Sequence, residues 1–177
     1  MPIYFIRHGE SEANLKQVFA GQREDSPLTQ TGLQQAADAV KDLNGIQVDT
    51  IYSSPLLRAR QTAEEVAKGI GYSTEAIVID QRLTEYDMGS LTGTPLHAIT
   101  SQELVSAEGA ENVHDFCARI RSFLQEHKSD KVNILIASHA GVGRAIECMH
   151  QGIQPEEFYS IAPYPNGHVV KLNLSRL

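Results

Sequence analysis

Short apolar segments alternate with stretches that carry apolar residues at helical spacing, and this alternation limits the folds open to the chain. Short apolar runs are typical of strands buried on both faces. Strands that alternate with helices predict a parallel sheet, because parallel strands need long crossover connections. We therefore predict an α/β fold, a three-layer α/β/α sandwich with a mostly parallel central sheet, in one domain over residues 1–177. The predicted strands are 3–6, 48–52, 76–79, 133–137 and 168–174.

The helices are predicted from apolar residues that recur three and four positions apart. Ser54 and Pro55 are the residue types preferred at the N-cap and at the first helical position, so we expect the second long helix to begin there. The predicted helices cover residues 33–43, 55–70, 113–124 and 142–150.

Three of the predicted strands lead into residues that carry chemistry. Arg7-His8-Gly9 follows the first strand, and we expect Gly9 to supply the backbone freedom that a turn needs. Arg58 lies in the helix start after the second strand, and Ser138-His139-Ala140-Gly141 follows the fourth. Ligands bind at the carboxyl ends of strands in open α/β sheets. We expect these groups to converge there with Glu85, which lies in a glycine-containing loop, to form an anion site with a nucleophile.

In order along the chain, these blocks resemble the histidine phosphatase superfamily, in its phosphoglycerate-mutase-like group. The matching features are the Arg-His-Gly-Glu-Ser opening, Asn14 six residues after His8, the Gly21 segment before Pro27-Leu28-Thr29, the Ser-Ser-Pro-Leu-x-Arg-Ala-x-Gln-Thr-Ala block, the loop Glu85 and the Ser-His-x-Gly block. The resemblance covers nearly the whole chain and implies a phosphoglycerate-mutase-like fold.

The resemblance also implies a role for each matching residue. His8 would be the nucleophile that becomes phosphohistidine, and Glu85 would donate a proton to the leaving oxygen. The groups that would hold the phosphoryl oxygens are Arg7, Arg58 and His139.

The same resemblance implies a substrate-binding set of Asn14, Gly21 and Ala140, with neither a cofactor nor a metal. Ala140 stands where the family usually has glycine, so close approach of a ligand to the backbone is less free there. We also expect anion contacts from the backbone N–H of Gly9 and from the helix start after His139.

General chemistry agrees with these roles. Arginine offers planar, forked donors that suit phosphate oxygens. Neutral histidine is a competent nucleophile near neutral pH, because its reference pKa is about 6.5. Glu10 and Glu111 remain alternatives to Glu85 as the acid. A metal site on His8 and His139 is a further alternative, although no other residue supplies the usual ligand spacing.

Composition restricts the partners. The net charge of -7 does not favour nucleic acid or an anionic membrane surface, so an anionic substrate requires a local cluster of arginines. No apolar run approaches the length of a membrane span, and Met1-Pro2 leads straight into a strand, so we expect a cytoplasmic protein. Cys117 and Cys148 lie among apolar positions and are expected to be buried free thiols. The expected partner is a small phosphorylated metabolite, and a homodimer remains open.

The predicted activity is metal-independent hydrolysis of small phosphate monoesters through phosphohistidine. One alternative is mutase-type phosphoryl transfer, and another is a weakly catalytic regulator that binds a phosphorylated ligand. Phosphoglycerate mutases carry a long insertion with basic residues after the loop Glu. Here residues 86–112 contain no Lys or Arg, which favours the phosphatase.

Overall fold

The computed structural model describes residues 2–96, 99–129 and 131–174. Its strands are β1 (Ile3–Arg7), β2 (Thr50–Ser53), β3 (Val78–Ile79), β4 (Ile134–Ser138) and β5 (Val169–Lys171). They form one sheet in the order β3-β2-β4-β1-β5. The first four strands are parallel, and β5 pairs with β1 in the antiparallel direction. The mostly parallel sheet predicted from the sequence is confirmed.

Helices cover both faces of this sheet, which confirms the three-layer fold. On one face Phe5 of β1 packs in an apolar cluster with Phe116 and Ile146, and on the other face Ile6 packs in a second cluster with Val66. Successive strand residues point to opposite faces, so neighbours on β1 join different layers. The helices are α1 (Glu12–Leu15), α2 (Gln30–Asp38), α3 (Leu57–Ile70), α4 (Ser101–Val105), α5 (Val113–His127) and α6 (Ala140–Gln151). Short 3₁₀ turns cover Ala39–Leu43, Thr74–Ala76, Gln81–Leu83, Gly89–Leu91 and Pro155–Ser160.

The prediction that Ser54 caps α3 is wrong. The helix begins at Leu57, and its N-cap is Leu56, whose side chain makes no capping bond. The Ser54 hydroxyl instead accepts a hydrogen bond from the Leu56 N–H and pairs with His139. Ser54 therefore pairs with the histidine after β4 and does not cap its own helix.

Gly9 is required for a different reason from the one expected. Its φ does not lie in the left-handed region. A Cβ on Gly9 would instead fall on the carbonyl group of Gly32, and a Cβ on Gly32 would fall on the carbonyl oxygen of Glu10. The first turn of α2 thus lies directly against the backbone after β1, which only two facing glycines allow.

No helix in the described part of the chain is long and apolar enough to cross a membrane. Cys117 and Cys148 are buried free thiols, as the sequence predicts. Burial raises the pKa of Cys117 to about 12 and that of Cys148 to about 11, so both remain protonated at neutral pH.

Candidate active site

A cavity of about 270 Å³ opens beside the carboxyl ends of β1 and β4. His139 lies against it, with its ring centroid 5.3 Å from that of His8. The structure thus brings the predicted site residues together in one place. Those that line the cavity are Arg7, His8, Asn14, Gly21, Arg58, Glu85 and Ala140.

The register of the sheet explains why the two histidines meet. Arg7 and Ser138, the last residues of β1 and β4, pair in the parallel ladder. The residues that follow them, His8 and His139, therefore lie next to each other at the same edge of the sheet. The His8 N–H continues the ladder by donating to the Ser138 carbonyl at 2.9 Å.

The His8 ring is held in one tautomer. Nδ1 lies 2.7 Å from the carbonyl oxygen of Gly9. A carbonyl only accepts, so Nδ1 carries the hydrogen and Nε2 keeps its lone pair. Burial lowers the pKa of His8 well below 6.5, and the positive charges of Arg58 and Arg7 lower it further. His8 is therefore neutral near pH 7, with Nε2 unprotonated.

His139 is fully buried and also has a lowered pKa, first because of desolvation and then because of Arg58. Its Nε2 lies 2.7 Å from the Ser54 hydroxyl oxygen. That oxygen accepts from the Leu56 N–H and has a second lone pair and one hydrogen, so it pairs with Nε2 in either ring tautomer; in one of them it donates its hydrogen to Nε2. In this tautomer Nδ1 carries a hydrogen, and Nδ1 is buried without a hydrogen-bond partner among the described residues.

The two arginines predicted from the sequence, Arg7 and Arg58, both line the cavity. Arg58 is only 2% exposed, and its guanidinium donates to the carbonyls of Gly21 at 2.8 Å and Glu24 at 3.1 Å. Arg7 donates to the Tyr164 carbonyl at 3.1 Å, while its Nε is buried and has no hydrogen-bond partner in the part of the chain that the structure describes. Burial lowers the pKa of both guanidiniums, and the nearby Glu85 carboxylate opposes this shift.

Glu85 is the only one of the three considered carboxylates that lines the cavity. Its Oε1 accepts from the Tyr86 N–H at 2.8 Å, and its Oε2 accepts from the Gly141 N–H at 3.1 Å. Glu10 instead accepts from the Thr29 hydroxyl, and Glu111 is paired with Arg119. The geometry therefore favours Glu85 over both alternatives.

The three predicted substrate-binding residues line the cavity in different ways. Asn14 accepts from the Ser11 N–H through Oδ1, which fixes its amide at the start of α1. Gly21 adopts a φ of 55°, and its carbonyl binds Arg58. Ala140 is the first residue of α6 and is half-buried.

The expected anion contact from the Gly9 N–H is contradicted. That group donates to the Thr62 hydroxyl at 3.1 Å, and Thr62 donates in turn to the Arg58 carbonyl at 2.8 Å. At the start of α6, the Gly141 N–H is likewise occupied by Glu85. Side chains, rather than these two backbone donors, remain to bind an anion.

Sequence reasoning did not identify three residues that shape the site. Thr62 fixes the backbone after His8, and Asn166 donates to the His8 carbonyl at 2.7 Å. Arg144 lines the cavity. Thr62 belongs to the same matching block as Arg58 and lies four residues after it, and this position is a sequence signal for a role in the site. The Asn166-Gly167 pair indicates only a turn, and Arg144 lies in the predicted helix 142–150 without a further signal.

Among the residues that the structure describes, no group of three or more His, Cys, Asp or Glu is arranged to hold a metal ion. The charged groups lining the cavity are three arginines and one glutamate. Arginine has only donors, so this lining suits an anion rather than a cation.

Comparisons with known proteins agree with this geometry. Residues 3–176 match the sequence model of the histidine phosphatase superfamily (branch 1). A Hydrogenobacter thermophilus protein named "Putative phosphoserine phosphatase 2" is 34% identical over 172 residues, which cover 90% of this chain and 83% of that protein. The 2,3-bisphosphoglycerate-dependent phosphoglycerate mutase of Bartonella quintana is 30% identical over 176 residues, with 89% and 85% covered.

A solved structure, that of YhfR from Bacillus stearothermophilus, has a TM-score of 0.82 and 25% sequence identity, and the match covers 95% of this chain and 88% of that one. Its likeness supports the fold. Of the two sequence relatives, one is named a phosphatase and the other a mutase, so their names do not choose between the two reactions.

Proposed function

Because the chain belongs to the histidine phosphatase superfamily, we propose that it is a metal-independent phosphatase that hydrolyses small phosphorylated metabolites through a phosphohistidine on His8. The observation that carries this proposal is the hydrogen bond from His8 Nδ1 to the Gly9 carbonyl. It leaves the Nε2 lone pair available on a neutral imidazole, as a nitrogen nucleophile requires.

The unpaired donors around His8 support a phosphoryl group as the ligand. Arg7 Nε and His139 Nδ1 are buried without partners in the described part of the protein. Buried polar atoms are rarely left unsatisfied, and a phosphoryl group brings three acceptor oxygens. With Arg58, these donors stabilise the charge that shifts between oxygens during transfer.

The reaction then proceeds in two balanced steps. His8 Nε2 attacks phosphorus and forms the N–P bond as the ester P–O bond breaks, and protonated Glu85 gives its proton to the leaving oxygen. The Glu85 carboxylate next takes a proton from water as the water oxygen attacks phosphorus. The N–P bond breaks, phosphate leaves, and neutral His8 and protonated Glu85 are restored.

The segment between Glu85 and α5 favours hydrolysis over a mutase reaction. A mutase must keep water from phosphohistidine and hold the substrate acid while it reorients. Residues 86–112 contain no Lys or Arg. The described part of this segment contributes Met88 and Leu96 to the cavity lining, and both are apolar. This segment therefore supplies no cationic clamp.

The experiment supplies 3-phosphoglycerate to the purified protein, with and without 2,3-bisphosphoglycerate, and follows both 2-phosphoglycerate and free phosphate. We expect phosphate release to exceed isomerisation under both conditions, and His8→Ala to abolish release while the protein stays folded. Isomerisation that outpaces phosphate release would refute the phosphatase and favour the mutase.

A weakly catalytic regulator gives a third pattern. In that case the protein would bind vanadate but would hydrolyse neither alkyl nor aryl phosphates. The presence of His8, Glu85 and both arginines in one cavity argues against this alternative.

A further inference from the structure

Arg144 lines the cavity but has no part in the phosphoryl chemistry described above. It lies on α6, five residues after His139. Its Nε donates to the Ile161 carbonyl at 2.8 Å, and its guanidinium carbon lies 4.2 Å from the ring centroid of Tyr159. These two contacts hold the guanidinium plane in place before any ligand arrives.

Only Nε of Arg144 donates a hydrogen bond to another described residue, and the terminal nitrogens Nη1 and Nη2 have no hydrogen-bond partner there. The side chain is half-buried. A guanidinium fixed by a carbonyl and an aromatic face, with its forked end free, is preorganised for a carboxylate or a phosphate.

The charges in the cavity wall give the same indication. Arg7 and Arg58 together balance the two negative charges of a phosphate monoester, and Glu85 is uncharged when it is ready to donate its proton. Arg144 then remains as one uncompensated positive charge in the lining. Its charge also reaches the phosphoryl end of the cavity: the pKa of Arg7 is lowered first by burial, with Glu85 opposing, and then by Arg144.

We propose that Arg144 binds a second anionic group on the body of the substrate, so that the preferred substrates are compact phosphate monoesters carrying a carboxylate or a second phosphate. This inference rests on the proposed phosphatase activity and adds the substrate class. The cavity of about 270 Å³ is slightly smaller than typical ligand pockets, which hold about 300–1,000 Å³, and therefore favours small substrates. The cavity lining also includes Phe158 and Pro163, whose side chains carry no charge.

The alternative is that Arg144 has only a structural role, because its hydrogen bond to the Ile161 carbonyl also stabilises the position of the segment after α6. The two roles differ in what they do to selectivity. A structural defect lowers turnover of all esters together, whereas loss of an anion contact lowers turnover only of esters that carry the second charge.

The test compares esters that differ by one anionic group. Phosphoserine is paired with phosphoethanolamine, and ethylene glycol bisphosphate is paired with the monophosphate. Wild type should have a higher kcat/KM for the more anionic member of at least one pair. The pair that shows this preference tells whether Arg144 binds a carboxylate or a second phosphate. Arg144→Gln should reduce that preference by about 10- to 100-fold, the value of a charge-assisted hydrogen bond, while Arg144→Lys should keep part of it.

Arg121→Gln is the matched control, since Arg121 is an exposed arginine on α5 outside the cavity lining, and it should leave the preference unchanged. A wild-type protein without any preference overturns the inference, whatever the variants do. So does an Arg144→Gln variant that loses activity equally on both members of a pair. Trapping of phosphohistidine from an aryl phosphate, which carries no second anionic group, is measured in parallel and should not depend on Arg144. If trapping fails in wild type, the proposed function fails; if trapping succeeds but wild type shows no preference in either pair, only this inference fails.

Discussion

Gly141 and Glu85 are in direct contact across the cavity wall. The Gly141 N–H donates to Oε2 of Glu85 at 3.1 Å, and a Cβ on residue 141 would fall on Oε1 of the same carboxylate. The glycine that ends the Ser-His-x-Gly block is thus needed, because the carboxylate of Glu85 occupies the space that a side chain on residue 141 would fill. Two motifs that are 56 residues apart in sequence form one structural unit.

Gly141→Ala should therefore impair the same step as Glu85→Gln. Each change should slow hydrolysis of alkyl phosphates by about 10²–10⁴-fold, the usual contribution of acid–base catalysis. Aryl phosphates should lose less in the phosphorylation step, because a phenolate departs without a proton. Single-turnover formation of the phosphoenzyme on both kinds of ester measures the difference.

Glu108→Gln, an exposed glutamate of the same segment, is the control and should behave as wild type. If Glu85→Gln slows alkyl and aryl esters equally in single-turnover phosphorylation, Glu85 is not the proton donor.

The convergence of the site was predictable because the key residues follow parallel strands. His8 and His139 lie side by side because β1 and β4 are neighbouring strands and their last residues pair. Arg58 lies at the same edge because α3 begins only a few residues after β2. A pattern of apolar runs and the known geometry of parallel sheets are enough to predict that edge.

The contacts that fix the side chains could not be predicted in the same way. Ser54 carries the local signal of a helix cap, yet its tertiary contact with His139 takes precedence. Asn166 reaches the His8 carbonyl from a position 158 residues away, and nothing local to an Asn-Gly turn marks that contact. β3 covers only the second half of the predicted strand 76–79, because Ala76 ends a 3₁₀ turn that begins at Thr74 and Ile77 is its C-cap.

The lowered pKa of His8 predicts how stability depends on pH. In the unfolded chain His8 takes up a proton near pH 6.5, whereas burial and the two arginines keep it neutral in the folded protein. The free energy of unfolding should therefore fall as the pH decreases below about 6.5, by about 1.4 kcal/mol per pH unit for this group, until the folded form protonates at its lowered pKa.

Urea unfolding of wild type and His8→Gln between pH 7.5 and about 5 measures this slope, which the variant should reduce by that amount. His168→Gln removes an exposed histidine and serves as the control. The ¹⁵N shifts of the His8 ring should also show a hydrogen on Nδ1 alone at pH 6.5. A slope that is unchanged in His8→Gln would contradict the neutral assignment.

Arg119 holds the peptide that carries Glu85. Its guanidinium donates to the carbonyls of Arg82 at 2.6 Å and Glu85 at 3.1 Å and forms an ion pair with Glu111. Arg119→Lys retains the charge but cannot make this set of bonds. We expect it to lower the free energy of unfolding by about 1 kcal/mol, because the part-buried Arg82 carbonyl loses its bond while the Glu85 carbonyl keeps the one from Gln22. It should also lower kcat on alkyl phosphates more than on aryl phosphates.

Arg121→Lys on the same helix should change neither quantity. Glu111→Gln keeps the shape of the partner and removes its charge, so a double-mutant cycle with Arg119→Lys should show non-additive effects on kcat. Additive effects would mean that the two residues do not act on Glu85 as a unit.

The donor set of the cavity predicts how the protein responds to chelators and to vanadate. Arg58 is fixed by two backbone carbonyls, and with Arg7 and His139 it offers N–H donors where a metal-dependent phosphatase would offer carboxylates. Prolonged chelation should leave the rate unchanged. Vanadate should inhibit wild type in competition with substrate, because it mimics the five-coordinate transition state. His8→Ala should bind vanadate more weakly in a direct binding measurement such as calorimetry, because it lacks the apical nitrogen. Activity that disappears on chelation and returns with one divalent ion would overturn the metal-independent mechanism.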